Sequence, residues 1–157
     1  MAEKLSAGQP APEFELLDQK GNTQKLTDYR GQWVVLYAYP RDMTPGCTLE
    51  AEEFTGLLPE FHKNNAVVMG ISPDSVAKHK NFCEKKSLEH ILLADEEHQT
   101  IEAYGAWQLK KFMGREFMGV VRSTWLIDPQ GLISTTWYNI RAKGHAQKVL
   151  DELLAKQ

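Results

Sequence analysis

The residues best suited to chemistry lie in one stretch, YPRDMTPGCTLEAEEF, from Tyr39 to Phe54. Cys47, one of only 2 cysteines in the chain, follows Thr44-Pro45-Gly46 directly and precedes a run of carboxylates. Thr44 is a favoured N-cap residue, and proline suits the first helical position because the N–H it lacks would have had no helical partner. Cys47 then falls in the first turn of a helix, where unpaired N–H groups and the helix dipole favour negative charge. A thiol so placed is drawn toward thiolate, the form that acts as a nucleophile. Glu50, one turn along, opposes this, since a like charge disfavours the thiolate. The pattern therefore calls for a cation that holds carboxylate and sulfur together. Arginine, always charged and forked, is the natural choice. Arg122 answers the description, because it stands in the otherwise apolar run VVRSTWLID, where a charged side chain requires a partner.

The second cysteine, Cys83 in KNFCEKK, has two readings: a redox partner for Cys47, or a packing residue beside Phe82. His79 lies four residues before it on the same helical face, but one histidine and one cysteine do not make a zinc site. His62, His90, His98 and His145 read as solvated. Glu96, Glu97 and the EAEE run read as solvated helix starts. Trp107, Phe112, Phe117 and Trp125 read as core rather than as the lining of a pocket. No Gly-rich phosphate loop and no CxxC occurs, which disfavours nucleotide chemistry and a thioredoxin-type disulfide reductase.

The elements that must position these residues follow from pattern. WVVLYAY, Trp33–Tyr39, is a nearly unbroken β-favouring run and predicts a central strand buried on both faces. A helix is predicted from Pro45 to about Asn64, with a kink or break near Gly56–Pro59, since Pro59 cannot donate its N–H. AVVMGIS is a second buried strand, and Pro73-Asp74-Ser75 opens a helix running through Lys86. HILLA is a third strand, and DEEHQTIEAYG a short helix closed by Gly105. REFMGVVRSTWLID reads as strand, turn and strand, and LISTTWYNI as the strand after it. A last amphipathic helix, from about Gly144 to Lys156, buries Val149, Leu150, Leu153 and Leu154. Short strands around Phe14–Leu16 and Thr23–Lys25 precede all of these. Central strands alternating with helices give an α/β fold with a mixed sheet flanked by helices.

The chain has 157 residues, 42% hydrophobic and 25% charged, with a net charge of −3, the profile of one ordinary globular domain. No basic stretch is dense enough to track phosphates, so nucleic acid is not an expected partner. No apolar segment suits a secretory signal or a membrane span, so no membrane partner is expected. The expected address is the cytoplasm, where two cysteines do chemistry more often than they staple a fold.

The spacing Pro40-x-x-x-Thr44-x-x-Cys47 resembles the active-site signature of peroxiredoxins, and TPGCTLEAEEF resembles that of the peroxiredoxin Q or bacterioferritin comigratory protein branch. AGQPAPEFELLDQKGN and VVRSTWLIDPQG resemble the family's N-terminal segment and arginine strand, so the likeness runs from about Leu5 to the C-terminal helix. The resemblance implies a thioredoxin-like fold over residues 1–157 and a thiol peroxidase acting on hydrogen peroxide and organic hydroperoxides. It needs no cofactor and no metal, works as a monomer, and is reduced by thioredoxin or a similar dithiol. On it, Cys47 is the peroxidatic cysteine, Thr44 and Arg122 stabilise thiolate and peroxide, Pro40 shields the pocket and Glu50 orients the arginine. Many members carry their second cysteine five residues after the first, where this chain has Glu52. Some place it on the following helix, which makes Cys83 the resolving candidate. Two alternatives stand beside this reading: a one-cysteine peroxidase with an inert Cys83, and a non-catalytic redox-sensing or interaction protein.

Overall fold

The structure is a computed structural model, and it describes residues 3–157. Its strands are β1 (Glu15–Asp18), β2 (Thr23–Lys25), β3 (Trp33–Ala38), β4 (Ala66–Ser72), β5 (Ile91–Ala94), β6 (Trp107–Phe112), β7 (Arg115–Val120), β8 (Ser123–Ile127) and β9 (Ile133–Tyr138). Its helices are α1 (Pro45–Lys63), α2 (Val76–Lys86), α3 (Gln99–Ala103) and α4 (His145–Ala155). Seven strands form one mixed sheet in the order β2-β1-β5-β4-β3-β8-β9, and β6 and β7 form a separate hairpin. β3 is central, parallel to β4 and antiparallel to β8. This is the thioredoxin-like arrangement, a mixed sheet with helices against it.

Alternation along β3 sends Val35 and Tyr37 to one face of the sheet and Val34, Leu36 and Ala38 to the other. The first face is covered by Phe54, Leu58 and Phe61 of α1, Phe82 of α2, and Val149, Leu150 and Leu153 of α4. The second is covered by the N-terminal segment and α3, through Phe14, Ile101 and Tyr104. Leu154, expected on the buried side of α4, is 47% exposed, because the apolar stripe is completed by Ala146 and His145 instead. No helix among the described residues is long and apolar enough to cross a membrane.

α1 runs unbroken through Pro59, so of the kink or break expected near Gly56–Pro59 the break does not occur. A proline removes one N–H, whereas Phe54, Leu58 and Phe61 on either side of it are buried and keep the helix on the sheet. β6 is a strand that the sequence reading did not anticipate. It pairs with β7 around Met113 and Gly114, both left-handed at φ 50° and 79°, which is the backbone of a two-residue hairpin turn. Phe112 and Phe117, expected in the core, lie on this hairpin at 67% and 46% exposure.

Candidate active site

α1 begins at Pro45 behind Thr44, which is extended at φ −83° and ψ 153°, so Cys47 is the third helical residue and is buried. Arg122 reaches it from the joint between β7 and β8 and not from within a strand, as the sequence reading had it. The reason is topological: β7 belongs to the hairpin and β8 to the main sheet, so the chain changes sheets at Val121–Arg122. The Arg122 carbonyl is tied down there by the Ile140 N–H at 3.1 Å. Its side chain is left to swing onto α1. Nη2 donates to Cys47 Sγ at 3.2 Å, and Nη1 donates to Glu50 Oε1 at 2.5 Å. A Cβ on Gly46 would lie 3.3 Å from Nη2, so the glycine gives the guanidinium its room.

The electrostatics of this triad are mixed. Glu50 is fully buried and its Oε2 has no hydrogen-bond partner. Burial pushes its carboxyl up to about 7, against the opposing pull of Arg122. Burial works against the charge on Arg122 too, yet Glu50 and Cys47 together hold the guanidinium above its ordinary value. The site thus keeps a fixed cation against the sulfur, and behind the cation a carboxylate that titrates near neutrality.

Thr44 sits at the N-cap, but its hydroxyl donates to the Arg41 carbonyl at 2.8 Å and caps nothing. The structure therefore brings Cys47, Arg122 and Glu50 into direct contact and places the Thr44 hydroxyl in the adjoining loop. Pro40 and Arg122 share the wall of a depression of about 470 Å³ with Leu109, Lys110 and Ile140. Lys110 Nζ donates to the Val120 carbonyl at 2.9 Å, and burial, with Arg122 nearby, holds its amine below the usual lysine range.

Cys83 is half-buried on α2 and packs against the same core as Cys47; both thiols are free. It faces a different depression, of about 780 Å³, whose lining includes Lys20, Lys80, Glu84 and Glu89. Burial pushes the Cys83 thiol up to about 12, with Asp42, Asp18 and Glu84 adding to the effect and Lys20 opposing it.

Two histidines expected in solvent are buried. His90 lies between the Tyr37 hydroxyl at 2.7 Å and the Thr55 hydroxyl at 2.8 Å, and burial holds it down at about 3. His145 Nε2 meets the Thr124 hydroxyl at 2.8 Å and is held at about 4, by burial first. Each finds hydroxyl partners on a neighbouring element, contacts that no local pattern announces. Asp42 and Tyr39 were not singled out from sequence as site residues, and Asp74 only as part of a helix start; with His79 they form a buried polar cluster beside the loop that leads into Cys47. Its three ionisable members bring potential ligand atoms within 4.8 Å of one another, but those atoms are already bonded to one another and to backbone.

Residues 7–136 match the AhpC/TSA family. The putative peroxiredoxin bcp of Helicobacter pylori is 48% identical over 151 residues, covering 96% of this chain and 99% of that protein. The peroxiredoxin Bcp of Bacillus subtilis is 46% identical over 149 residues, covering 95% of each. Among solved structures, a variant of the peroxiredoxin Q of Xylella fastidiosa superposes with a TM-score of 0.93 at 34% identity, covering 99% of each chain. The bacterioferritin comigratory protein of Xanthomonas campestris, studied for alkyl peroxide reduction, gives 0.90 at 35% identity over 96% of this chain and 98% of that one.

Proposed function

The chain belongs to the AhpC/TSA family and is a peroxiredoxin of the Bcp or Q branch, and on that premise we propose that Cys47 is its peroxidatic and Cys83 its resolving cysteine. The observation that carries the first assignment is the bridge of Arg122 from Cys47 Sγ to Glu50 Oε1. The Cys47 thiolate attacks one oxygen of hydrogen peroxide or an organic hydroperoxide. The S–O bond forms as the O–O bond breaks, and water or an alcohol leaves after taking up a proton. Sulfur is oxidised to a sulfenic acid and the peroxide is reduced. Negative charge spreads over sulfur and both oxygens in the transition state, so a guanidinium already fixed beside the sulfur lowers the barrier. Glu50 holds that guanidinium, and Pro40 walls the approach. Thr44 joins the reaction once its hydroxyl turns from Arg41 to the bound peroxide.

Resolution follows when the Cys83 thiol attacks the sulfenic sulfur, releasing water and leaving a Cys47–Cys83 disulfide. Thioredoxin or a similar dithiol then reduces it. The working unit is a cytoplasmic monomer with residues 1–157 as one domain. A second reading, in which an external thiol resolves the sulfenic acid, draws on the resting state of Cys83, protonated and turned toward its own depression. A non-catalytic sensor has no use for Thr44, Cys47 and Arg122 together.

One equivalent of peroxide added to wild type and to Cys83→Ser, followed by mass spectrometry, separates the two catalytic readings. Wild type should gain an intramolecular disulfide with some loss of helix signal in circular dichroism, and the variant should stop at sulfenic or sulfinic acid. Identical oxidised species from both would make Cys83 a packing residue and the enzyme a one-cysteine peroxidase.

A further inference from the structure

We propose that Asp42 and His79 form a latch that holds α2, and with it Cys83, against the loop that leads into Cys47, and that this latch sets the rate of disulfide formation. The inference rests on the assignment of Cys83 as the resolving residue. Asp42 and His79 are positioning residues, since neither touches the peroxide or the reacting sulfurs.

Of the eleven residues of α2, His79 and Phe82 are the buried ones. Phe82 is adjacent to Cys83 and has to leave the core as the thiol travels toward Cys47. The remaining buried anchor of the helix is then His79. Its Nε2 lies 2.8 Å from the Leu93 carbonyl, which can only accept, so that nitrogen carries a proton. Its Nδ1 lies 2.7 Å from Asp42 Oδ2, and the proton between them joins the two groups on whichever side it resides. Both side chains are closed to solvent, at 0% and 4% exposure. A hydrogen bond closed to solvent in this way is stronger than its surface counterpart.

The other end of the latch is the reactive loop. Asp42 Oδ1 accepts from the Tyr39 hydroxyl at 2.6 Å, and the Asp42 N–H donates to Asp74 Oδ2 at 2.8 Å. Asp74 also accepts from the Ser72 hydroxyl at 2.7 Å and stands two residues before the start of α2, which Ser75 caps by accepting from the Lys78 N–H. The loop that leads into Thr44 and Cys47 is therefore pinned to α2 at the helix start through Asp74 and one turn inside it through His79. Met43, next to Asp42, is held at φ 68°, a conformation a non-glycine residue keeps only when its surroundings impose it. In the latched state Cys83 is also a poor nucleophile, because burial keeps its thiol protonated. Release of the helix thus delivers the second thiol and wakes it in one step.

The test is the rate of disulfide formation after one equivalent of hydrogen peroxide, followed by stopped-flow tryptophan fluorescence and by acid-quenched mass spectrometry. Removing one partner of a buried hydrogen bond shifts an opening equilibrium by roughly 10- to 100-fold. His79→Gln should form its disulfide faster by about that factor, make sulfenic acid at the wild-type rate, and accumulate less sulfinic acid in excess peroxide. Asp42→Asn should accelerate the same step and serves if His79→Gln fails to fold. In the double variant the two accelerations should not multiply, because both remove one contact. Ile133→Ala, which loosens the core on the other face of the sheet, should leave the step unchanged. A folded His79→Gln protein with a wild-type or slower disulfide step overturns the latch, as does equal acceleration by Ile133→Ala. If wild type forms no Cys47–Cys83 disulfide, the resolving assignment itself has failed, and the latch fails with it.

Discussion

Cys47 is 1% exposed and has a guanidinium 3.2 Å from its sulfur, while the more exposed Cys83 is surrounded by Asp42, Asp18 and Glu84, with Lys20 as the opposing cation. Both pack on one core, and each sits on a helix that starts beside the same loop. Depth of burial therefore does not rank them. The guanidinium in contact with Cys47 Sγ does, since Cys83 has no such partner among the described residues. The contrast also divides the labour in time. On the assignment proposed above, one thiol meets peroxide as the protein stands, and the other stays silent until its helix moves. A resting protein with two equally active thiols would gain nothing by the movement.

The contrast is broken most completely by removing its reactive pole. Cys47→Ser should abolish peroxide turnover with a dithiol reductant while the circular dichroism spectrum is preserved; appreciable turnover in the folded variant would end the assignment. Next comes Arg122→Ala, which takes the cation away from Cys47 and leaves its sulfur, like that of Cys83, without a guanidinium. Loss of one donor aimed at a developing oxyanion costs about 100- to 1,000-fold, and the second-order rate with hydrogen peroxide should fall by that order. A rate near wild type would show that the bridge to Glu50 is structural only.

Glu50 sharpens the contrast through pH. Its folded-state value of about 7 stands above the ordinary 4.5, so the stability it contributes is fully present below 4.5 and is lost as pH rises through about 7. A rise from 4.5 to about 7, at about 1.4 kcal/mol per pH unit, sets an upper bound of about 3.5 kcal/mol. His90 acts in the opposite sense, since its value is depressed from 6.5 to about 3 and its contribution is lost as pH falls. The measurement is therefore the difference in urea unfolding free energy between wild type and Glu50→Gln. That difference should shift against wild type between pH 4.5 and about 7. A difference flat across the window would mean that Arg122 keeps Glu50 ionised throughout.

Much of this was legible in the sequence, for reasons that are local. Thr44-Pro45-Gly46 encodes a helix start, and a cysteine there beside Glu50 demands a cation, which led to Arg122 before any contact was visible. Strands β3 and β4 and the starts of α1 and α2 are likewise written in neighbouring residues. What stayed hidden depends on distant partners. The direction of the Thr44 hydroxyl is set by how the loop folds back on Arg41, and the burial of His90 by Tyr37 and Thr55 on two other elements. β6 exists because β7 pairs with it; its own WQLKKF alternates apolar and polar only as far as Lys110, and its turn is Met-Gly, without the asparagine that usually marks one. The Asp42–His79 contact joins residues 37 positions apart, and a histidine near a cysteine reads from sequence as a metal question, not as a clasp between loop and helix.

The smallest perturbation is a single methyl group. Gly46 lies in the first turn of α1, and its backbone is ordinary helix, so alanine is compatible there and removes the flexibility glycine gives the unfolded chain. Stability should rise by up to about 1 kcal/mol, the helix-propensity difference between the two residues. Yet the new Cβ would stand 3.3 Å from Arg122 Nη2 and 4.0 Å from Cζ, so the guanidinium has to give way by a few tenths of an ångström. A misplacement of 1 Å at a reacting centre costs about 100-fold, and this smaller one should slow the peroxide reaction of Gly46→Ala by roughly 3- to 10-fold. The disulfide step, governed from α2, should be untouched. Melting temperature and the two rate constants, measured on one variant, thus separate the arginine side of the molecule from the helix side. A slower disulfide step, or a peroxide reaction as fast as wild type, would show that the two cysteines are not governed by separate surroundings.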